Sequence, residues 1–491
     1  MALIDQLLNQ IQTQADEDRQ NNQELRLSMY LDDYKDQIIT LLKSQFHKDN
    51  CNRLYPMFAT YYNLFKKVVN LKSVIYKKEA KRIWHTRKDN EDENYSDLIK
   101  DSKIHSTMVL CNKLTNSNNT SFVRIIPNIQ NQVIKYEAIP SENISIIQNP
   151  ENSNEIIALL HRVTIRDSNI NLSLITRKKI NDKFRIKYFY WDKENYIILD
   201  ADRKVLKKDG VLQEFENPYK DKNNEGIIPY TLFNFMLPIS GGIWNETVNT
   251  DLYDGTLQVN VFQTYFNNLL KQAGYRQPVI SGVAKDEIKT FNEKASDALQ
   301  PIIISDPQGK ISTFELSGNI TDVQSAIHDI ISEISDNHGV DFSSRTSSAQ
   351  KMSGLALSIS QEGIDNIREE QQPLYRESEK ELAEKTVIIA NKDLKSNIDV
   401  EGNFSIDFYE DKKDIPVKDK IEQDKFYLSK NLKSIIDLYR EIDLDCWSDE
   451  EALKRIELNR QQNESLIDDF PFSPVDDEEE KEETENAEPE S

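Results

Sequence analysis

The stretch HGVDFSSRTSSAQKMSGLAL, residues 338–357, joins two long helical patterns and decides how the chain around it folds. Apolar residues recur at three- and four-residue spacing on both sides of it, which indicates one buried face on each helix. The upstream set is Val323, Ile327, Ile330, Ile331 and Ile334, and the downstream set is Leu355, Ile359, Ile367, Leu374, Leu382 and Ile389. The joining segment is polar and rich in serine, so it offers little to bury. This arrangement favours a subunit that packs its helices on copies of itself over a soluble enzyme.

A third helical pattern precedes this pair and spans Trp244–Ala273. At about 1.5 Å per residue it would be about 45 Å long, and Gly274 suits its end. Residues 274–318 then change to short apolar runs separated by turn residues, which predict a small strand–turn–strand module. The second helix of the flanking pair would be capped by Asn319 or Thr321.

The helix predicted over residues 355–392 contains Pro373, which lacks an amide donor and should kink it. Beyond it, the β-branched and aromatic runs at residues 396–400 and 403–409 predict two strands on either side of Gly402. Residues 416–463 return to a helical pattern.

The last segment, residues 464–491, is rich in aspartate and glutamate. It holds too few apolar residues to bury a core, so we expect it to be disordered.

The first 90 residues are predicted to be largely helical, including one helix over residues 54–84. One face of that helix is apolar, and the other is basic, with Lys66, Lys67, Lys72, Lys77, Lys78, Lys81 and Arg82. Two interpretations of the basic face remain open: contact with DNA or an acidic partner, and an ordinary solvated face.

Residues 100–240 change to short β-branched and aromatic runs bounded by turn residues. They predict an antiparallel sheet covered on one side by the preceding helices, and hence an α+β domain. The predicted strands are 121–127, 132–139, 144–147, 155–165, 185–191 and 226–235.

Composition limits the function. The net charge of −23 argues against a protein that coats nucleic acid, because phosphates are neutralised by Lys and Arg. It does not exclude a protein that surrounds DNA without gripping it, since an acidic wall repels the backbone. Cys51, Cys111 and Cys446 have no paired spacing, which favours a reducing compartment. The sequence shows no signal peptide and no apolar run long enough to cross a membrane.

The motifs of the sequence predict no catalytic residues, no metal site and no cofactor. There is no phosphate-binding loop of the P-loop type and no nucleophile elbow. His328 and His338 are ten positions apart, which fits no usual zinc spacing.

The order of these elements resembles the portal proteins of tailed bacteriophages, in particular the type of about 500 residues found in siphophages of Gram-positive hosts. The resemblance covers Gln20 to Asn459. It rests on Tyr62–Tyr76 (YNLFKKVVNLKSVIY), Ile228–Asn234 (IPYTLFN), Asp251–Tyr253 (DLY), Gln277–Gly282 (QPVISG) and Met352–Leu357 (MSGLAL).

The resemblance implies a mainly helical, ring-forming α+β subunit with a strand-rich wing domain, long stem helices, a small α/β clip and a helical crown. About twelve copies would form a ring at one capsid vertex. The implied parts are a wing over 1–242, stem helices over 243–273 and 319–340, a clip over 274–318, a tunnel loop over 341–354, the long kinked helix over 355–392, and a crown over 393–463. The acidic tail over 464–491 is not part of the family pattern.

The resemblance also implies the sites and partners. The tunnel loop would face double-stranded DNA, without sequence specificity, through Ser343, Ser344, Arg345, Thr346 and Lys351. The clip would dock the large terminase subunit and later the head-completion and adaptor proteins; its docking residues are Lys285, Asp286, Lys289, Asp306 and Lys310. Major capsid and scaffold proteins would be further partners, the location would be the virion, with host cytoplasm during assembly, and no membrane would be involved.

A polar, weakly charged loop suits a DNA channel, because tight phosphate binding would stall translocation. An ordinary exposed loop with two incidental cations, Arg345 and Lys351, remains the alternative. Two other classes also remain open: another oligomeric connector or baseplate protein, and a helical scaffold built on a coiled coil. The apolar stripes are short for sustained heptads, which disfavours the scaffold.

Overall fold

The computed structural model describes most of the chain. The described residues are 14–45, 62–88, 90–153, 155–166, 184–208, 210–238, 242–274, 279–281, 302–304, 320–340, 354–409, 424–429, 434–442 and 452–460. They fall into two compact units, Met1–Tyr409 and Glu410–Ser491.

Helices and strands are mixed in the first unit, which is compatible with the predicted α+β class. Its helices are α1 (Gln14–Tyr30), α2 (Lys35–Gln45), α3 (Leu64–Lys72), α4 (Glu93–Lys100), α5 (Ile104–Asn118), α6 (Thr250–Gly274), α7 (Ile320–Asn337) and α8 (Gly354–Asp393). No helix among the described residues is long and apolar enough to cross a membrane.

The strands form separate small sheets rather than one continuous layer. They are β1 (Lys81–His85), β2 (Thr120–Asn128), β3 (Val133–Pro140), β4 (Ile144–Gln148), β5 (Ile156–Arg166), β6 (Phe184–Asp192), β7 (Asn195–Leu199), β8 (Lys207–Lys208), β9 (Val211–Leu212), β10 (Glu214–Glu216), β11 (Tyr230–Asn234), β12 (Val279–Ser281), β13 (Ile302–Ile304) and β14 (Asn403–Asp407). One antiparallel sheet has the order β11-β2-β3 and another the order β10-β7-β6-β5-β4. The six strands predicted between residues 121 and 235 are all present, with ends shifted by a few residues.

Two apolar cores hold the first unit together. One lies where α5 and the carboxyl half of α8 pack on the three-stranded sheet, and it includes Met108, Phe122, Phe233, Tyr375 and Leu382. The other joins α2, α3, α6 and α7 and includes Ile38, Phe65, Leu252, Ile327 and Ile334. The long helix α8 therefore belongs to the sheet domain along half its length, while α6 and α7 belong to a helical layer.

The helix predicted over residues 54–84 is wrong in its carboxyl half. In the described part, α3 ends at Lys72 and Lys81–His85 is a strand paired with β14. Two of the basic residues assigned to a solvated or DNA-binding face, Lys72 and Arg82, are buried. The strand forms because Trp84 and its partners fill a core that only the fold assembles.

The two strands predicted around Gly402 are also wrong as a pair. Only Asn403–Asp407 is a strand, and it pairs with β1. Lys395 and Asn397 both adopt left-handed backbone conformations, which interrupt an extended run. Gly402 lies so close to Trp84 that a side chain there would overlap the indole ring. Residues 393–409 therefore lie in the first unit.

Helix starts differ from the predicted ones for local reasons. The helix predicted from Trp244 begins at Thr250, because Asn249 is left-handed and its side chain donates to the carbonyls of Asn116 and Ser117. Helix α7 begins at Ile320, so Thr321 lies inside it and not at its cap, while Asn319 is outside the described residues. Helix α8 runs through Pro373.

The second unit contains short helical segments at residues 424–429, Ile435–Ile442 (α9) and 452–460. Helix α9 is capped by Ser434, whose hydroxyl accepts from the amide of Asp437 while the Asp437 carboxylate accepts from the Ser434 amide. The predicted acidic tail lies outside the described residues.

Burial of His161 in the five-stranded sheet gives a testable pH dependence. Burial, and then the nearby Arg124 cation, lower the pKa of His161 to about 3. The unfolded chain therefore binds the His161 proton between about pH 6.5 and pH 3 while the folded chain does not, so stability falls with falling pH by about 1.4 kcal/mol per unit. We expect His161→Gln, which can keep a contact with the Tyr230 hydroxyl 3.1 Å away, to lose this dependence. Urea unfolding at pH 7.5 and 5.5 measures it; equal losses in both proteins would contradict the assignment.

Candidate functional site

The structure does not describe the residues that sequence analysis singled out. Ser343, Ser344, Arg345, Thr346 and Lys351 of the predicted tunnel loop lie outside the described residues, as do Lys285, Asp286, Lys289, Asp306 and Lys310 of the predicted clip. Their roles stay predictions. The described residues of the predicted clip form two short strands, β12 and β13, which pair in parallel.

The helices that flank the predicted clip pack against each other closely. Gly255, near the start of α6, lies against Ile334, near the end of α7, and a side chain at residue 255 would overlap the Ile334 methyl group. The start of one helix thus meets the end of the other, as in an antiparallel pair. A buried apolar stripe on α7, predicted from its spacing, makes this contact.

The opposite face of α7 is acidic and exposed. Asp322, Asp329, Glu333 and Asp336 are exposed, and the helix contains no Lys or Arg. Such a face repels phosphate groups rather than binding them.

Helix α6 also fixes α3. The Thr256 hydroxyl accepts a hydrogen bond from the Phe65 amide at 3.0 Å, and the Asn260 side chain exchanges two hydrogen bonds with the backbone of Tyr62. Buried polar side chains of α6 thereby satisfy the free amides at the start of α3. Helices α3, α6 and α7 are therefore held together as one packed group.

At the carboxyl end of α7, three titratable side chains from different elements meet. Lys72 Nζ lies 3.4 Å from His338 Nδ1, and His338 Nε2 lies 3.2 Å from Asp251 Oδ2. Lys72 also lies over the ring of Phe235, 4.5 Å from its centre. Lys72 and His338 are largely buried, whereas about half of the Asp251 side chain is exposed (48%). We call Lys72, His338 and Asp251 the junction triad.

Burial and neighbouring charges shift the pKa values of Lys72 and His338. Burial lowers the pKa of Lys72 to about 8, against the opposing effect of Asp251 and Glu370. Burial, and then the Lys72 cation, lower the pKa of His338, against the effect of Asp251. At neutral pH the triad therefore holds a lysine cation, a neutral imidazole and, at the third corner, a carboxylate.

The chain leaves the triad through a tight turn against α8. Gly339 has a φ of 61°, in the left-handed region that suits glycine at a helix end. A Cβ atom at Gly363 of α8 would lie 2.5 Å from the Gly339 carbonyl oxygen. The two backbones touch at the point where the predicted tunnel loop begins.

Helix α8 is held to the sheet domain by a buried ion pair. Arg82 of β1 donates two hydrogen bonds to Glu379 of α8, at 2.9 and 2.5 Å, and the Tyr76 hydroxyl donates a third at 2.7 Å. Both charged side chains are almost wholly buried. Burial lowers the pKa of Arg82, but the Glu379 carboxylate outweighs it, so the net pKa is raised.

A buried polar network joins α8 to α5 on both sides of Pro373. Asn112 donates to the Tyr375 hydroxyl at 2.8 Å and to Gln371 at 3.3 Å, and Gln371 donates to Asn116 at 3.3 Å. Tyr375 also shares a hydrogen bond with Thr115. Sequence reasoning missed this network, because the run from Asn112 to Ser121 is rich in asparagine, serine and threonine and has no apolar spacing.

That polar run is buried and connects several parts of the first unit. Asn118 donates to the carbonyl of Gln23 in α1, and Asn119 exchanges hydrogen bonds with the backbone of Met236. A signal was available in the sequence: amide side chains between a helix and a strand can bond free backbone groups at the helix end.

Comparisons with known proteins find likeness among solved structures. No family model matches the chain, and no curated protein matches it. Among solved structures, a chain from the neck of an empty GTA particle, computed with C6 symmetry, is similar with 10% sequence identity and a TM-score of 0.35, over 79% of this chain and 92% of that chain. That TM-score is too low for the likeness to carry an argument about fold or function.

Proposed function

We propose that this chain is a portal subunit of a tailed bacteriophage: a homo-oligomeric ring at one capsid vertex, through which double-stranded DNA is packaged and ejected. The ring would also dock the terminase motor and head-completion proteins. The observation that carries this proposal is the exposed face of α7, which has four acidic residues and no Lys or Arg, on a helix pair anchored to an α+β body. A channel wall must pass DNA without binding it, and an acidic face without cations meets that need.

The positions of the anchoring contacts support the same proposal. Helix α7 and helix α8 are joined by residues 341–353. The end of α7 is held by the triad, and Gly363, in the first part of α8, packs on the backbone of Gly339. A loop that contacts moving DNA needs rigid supports at both ends. In this proposal, the ends of α7 and α8 would support the polar loop that contains Arg345 and Lys351.

Native mass spectrometry with negative-stain imaging of the purified chain tests the proposal. We expect closed rings of about twelve copies with a central hole. A stable dimer or a filament would contradict the portal and favour the helical scaffold.

Because a portal can need a scaffold protein to close, the chain would also be imaged after co-expression with the major capsid and scaffold proteins that the proposal gives it as partners. A chain that stays monomeric under both conditions would contradict the proposal as well. A deletion of residues 342–352 serves as the matched variant: it should still form rings, because the described packing surfaces of α6 and α7 remain intact.

A further inference from the structure

The junction triad has a defined proton arrangement. A lysine ammonium can only donate hydrogen bonds, so His338 Nδ1 must accept the one from Lys72. The neutral imidazole therefore carries its proton on Nε2, which faces Asp251 at 3.2 Å. In this state the imidazole lies between a cation and an anion, and the Nε2–Asp251 contact is electrostatic, because its geometry does not make a hydrogen bond.

We propose that Lys72, His338 and Asp251 form a protonation-sensitive latch, which holds the carboxyl end of α7 on α3 and α6 while His338 is neutral and releases it when His338 is protonated. Protonation places a hydrogen on Nδ1, the atom that accepts from Lys72. Two cations then face each other at the 3.4 Å separation of Nζ and Nδ1, inside a largely buried site. The contact between α3 and the end of α7 is lost.

The charges on every packed element bear on this step. Helix α3 contributes the Lys72 cation, α6 contributes Asp251, and α8 contributes Glu370, whose charge acts on Lys72. The residue after β11 contributes only the neutral ring of Phe235. Asp251 and Glu370 carry two negative charges, but the Asp251 side chain is about half exposed and Glu370 is exposed, so solvent screens both carboxylates and they offset the repulsion between the two largely buried cations only in part.

Release would act on the backbone that leads into residues 341–353. The His338, Gly339 and Val340 amides donate to the carbonyls of Ile334, Asp336 and Ser335 at 3.2, 3.1 and 3.0 Å. These last hydrogen bonds of α7 lie beside the triad. When the latch opens, they should open with it, so the support at one end of the predicted tunnel loop becomes pH-dependent.

Hydrogen exchange of the full-length chain, followed by mass spectrometry, tests the latch. Exchange rates are first corrected for intrinsic exchange. The protection of the His338–Val340 amides should then fall about tenfold for each unit by which the pH drops below the pKa that His338 has when the latch is open. His338→Gln, which keeps an acceptor and a donor but does not titrate, should show constant protection. Peptides from α5 (Ile104–Asn118) report global unfolding, and their change with pH, which His161 also affects, should be the same in the unmodified chain and in His338→Gln.

Lys72→Met separates the latch from other causes. It removes the cation that opposes protonation, so the loss of protection at low pH should disappear although His338 still titrates. Constant protection in the unmodified chain, an equal fall in His338→Gln, or an undiminished fall in Lys72→Met would each overturn the proposal. The assay does not depend on ring formation, so its outcome is independent of the portal assignment.

Discussion

Replacing Glu379 by alanine is expected to lower the free energy of unfolding by about 3–5 kcal/mol, because Arg82 would stay buried without its carboxylate. Both hydrogen bonds of the pair and that of the Tyr76 hydroxyl are lost together. The substitution weakens the contact between β1 and α8, and α8 is the helix that follows the predicted tunnel loop. Urea unfolding followed by tryptophan fluorescence measures it, since Trp84 lies on the same strand as Arg82.

A matched variant separates the uncompensated charge from lost packing. In Arg82→Met/Tyr76→Phe/Glu379→Leu all three polar groups become apolar together, so no buried charge or hydroxyl is left without a partner. Such replacements are often neutral or stabilising by about 1–4 kcal/mol. We therefore expect the triple variant to be much more stable than Glu379→Ala. If the two are equally destabilised, packing and not charge governs this contact.

Replacing Gly363 by alanine is expected to destabilise the chain by about 1–3 kcal/mol, the usual cost of overpacking. In an open helix the same change would stabilise by up to about 1 kcal/mol, because alanine is the better helix former. Here the new Cβ would lie 2.5 Å from the Gly339 carbonyl oxygen, a backbone atom that cannot rotate away. Either α8 or the turn after α7 must move.

Asn366→Ala provides the control, because Asn366 is an exposed position of the same helix. It should be neutral or slightly stabilising, while Gly363→Ala is destabilising in urea unfolding. In hydrogen exchange the Gly363 variant should lose protection at the end of α7 first. A Gly363→Ala protein more stable than the unmodified chain would show that the two backbones do not make this contact.

Local patterns predicted much of the fold. The six strands predicted between residues 121 and 235 are β-branched and aromatic runs bounded by turn residues, and α6, α7 and α8 show helical spacing, so their existence follows from neighbouring residues alone. The pairing of β1 with β14 does not, because its residues lie about 320 positions apart and each run alone suits other structures. That pairing ties residues 403–407 to the first unit.

The features of the candidate site also divide into those that follow from local sequence and those that only the tertiary structure decides. Sequence determined the composition of α7, with its acidic positions and its apolar stripe, and the polarity of the segment after it. Only the tertiary structure decided that Lys72 and Arg82, two cations in a basic run, are buried against His338 and Glu379, which lie 266 and 297 positions away. The physical reason is that a charge is buried only where distant groups supply its partner, and local spacing carries no information about such partners.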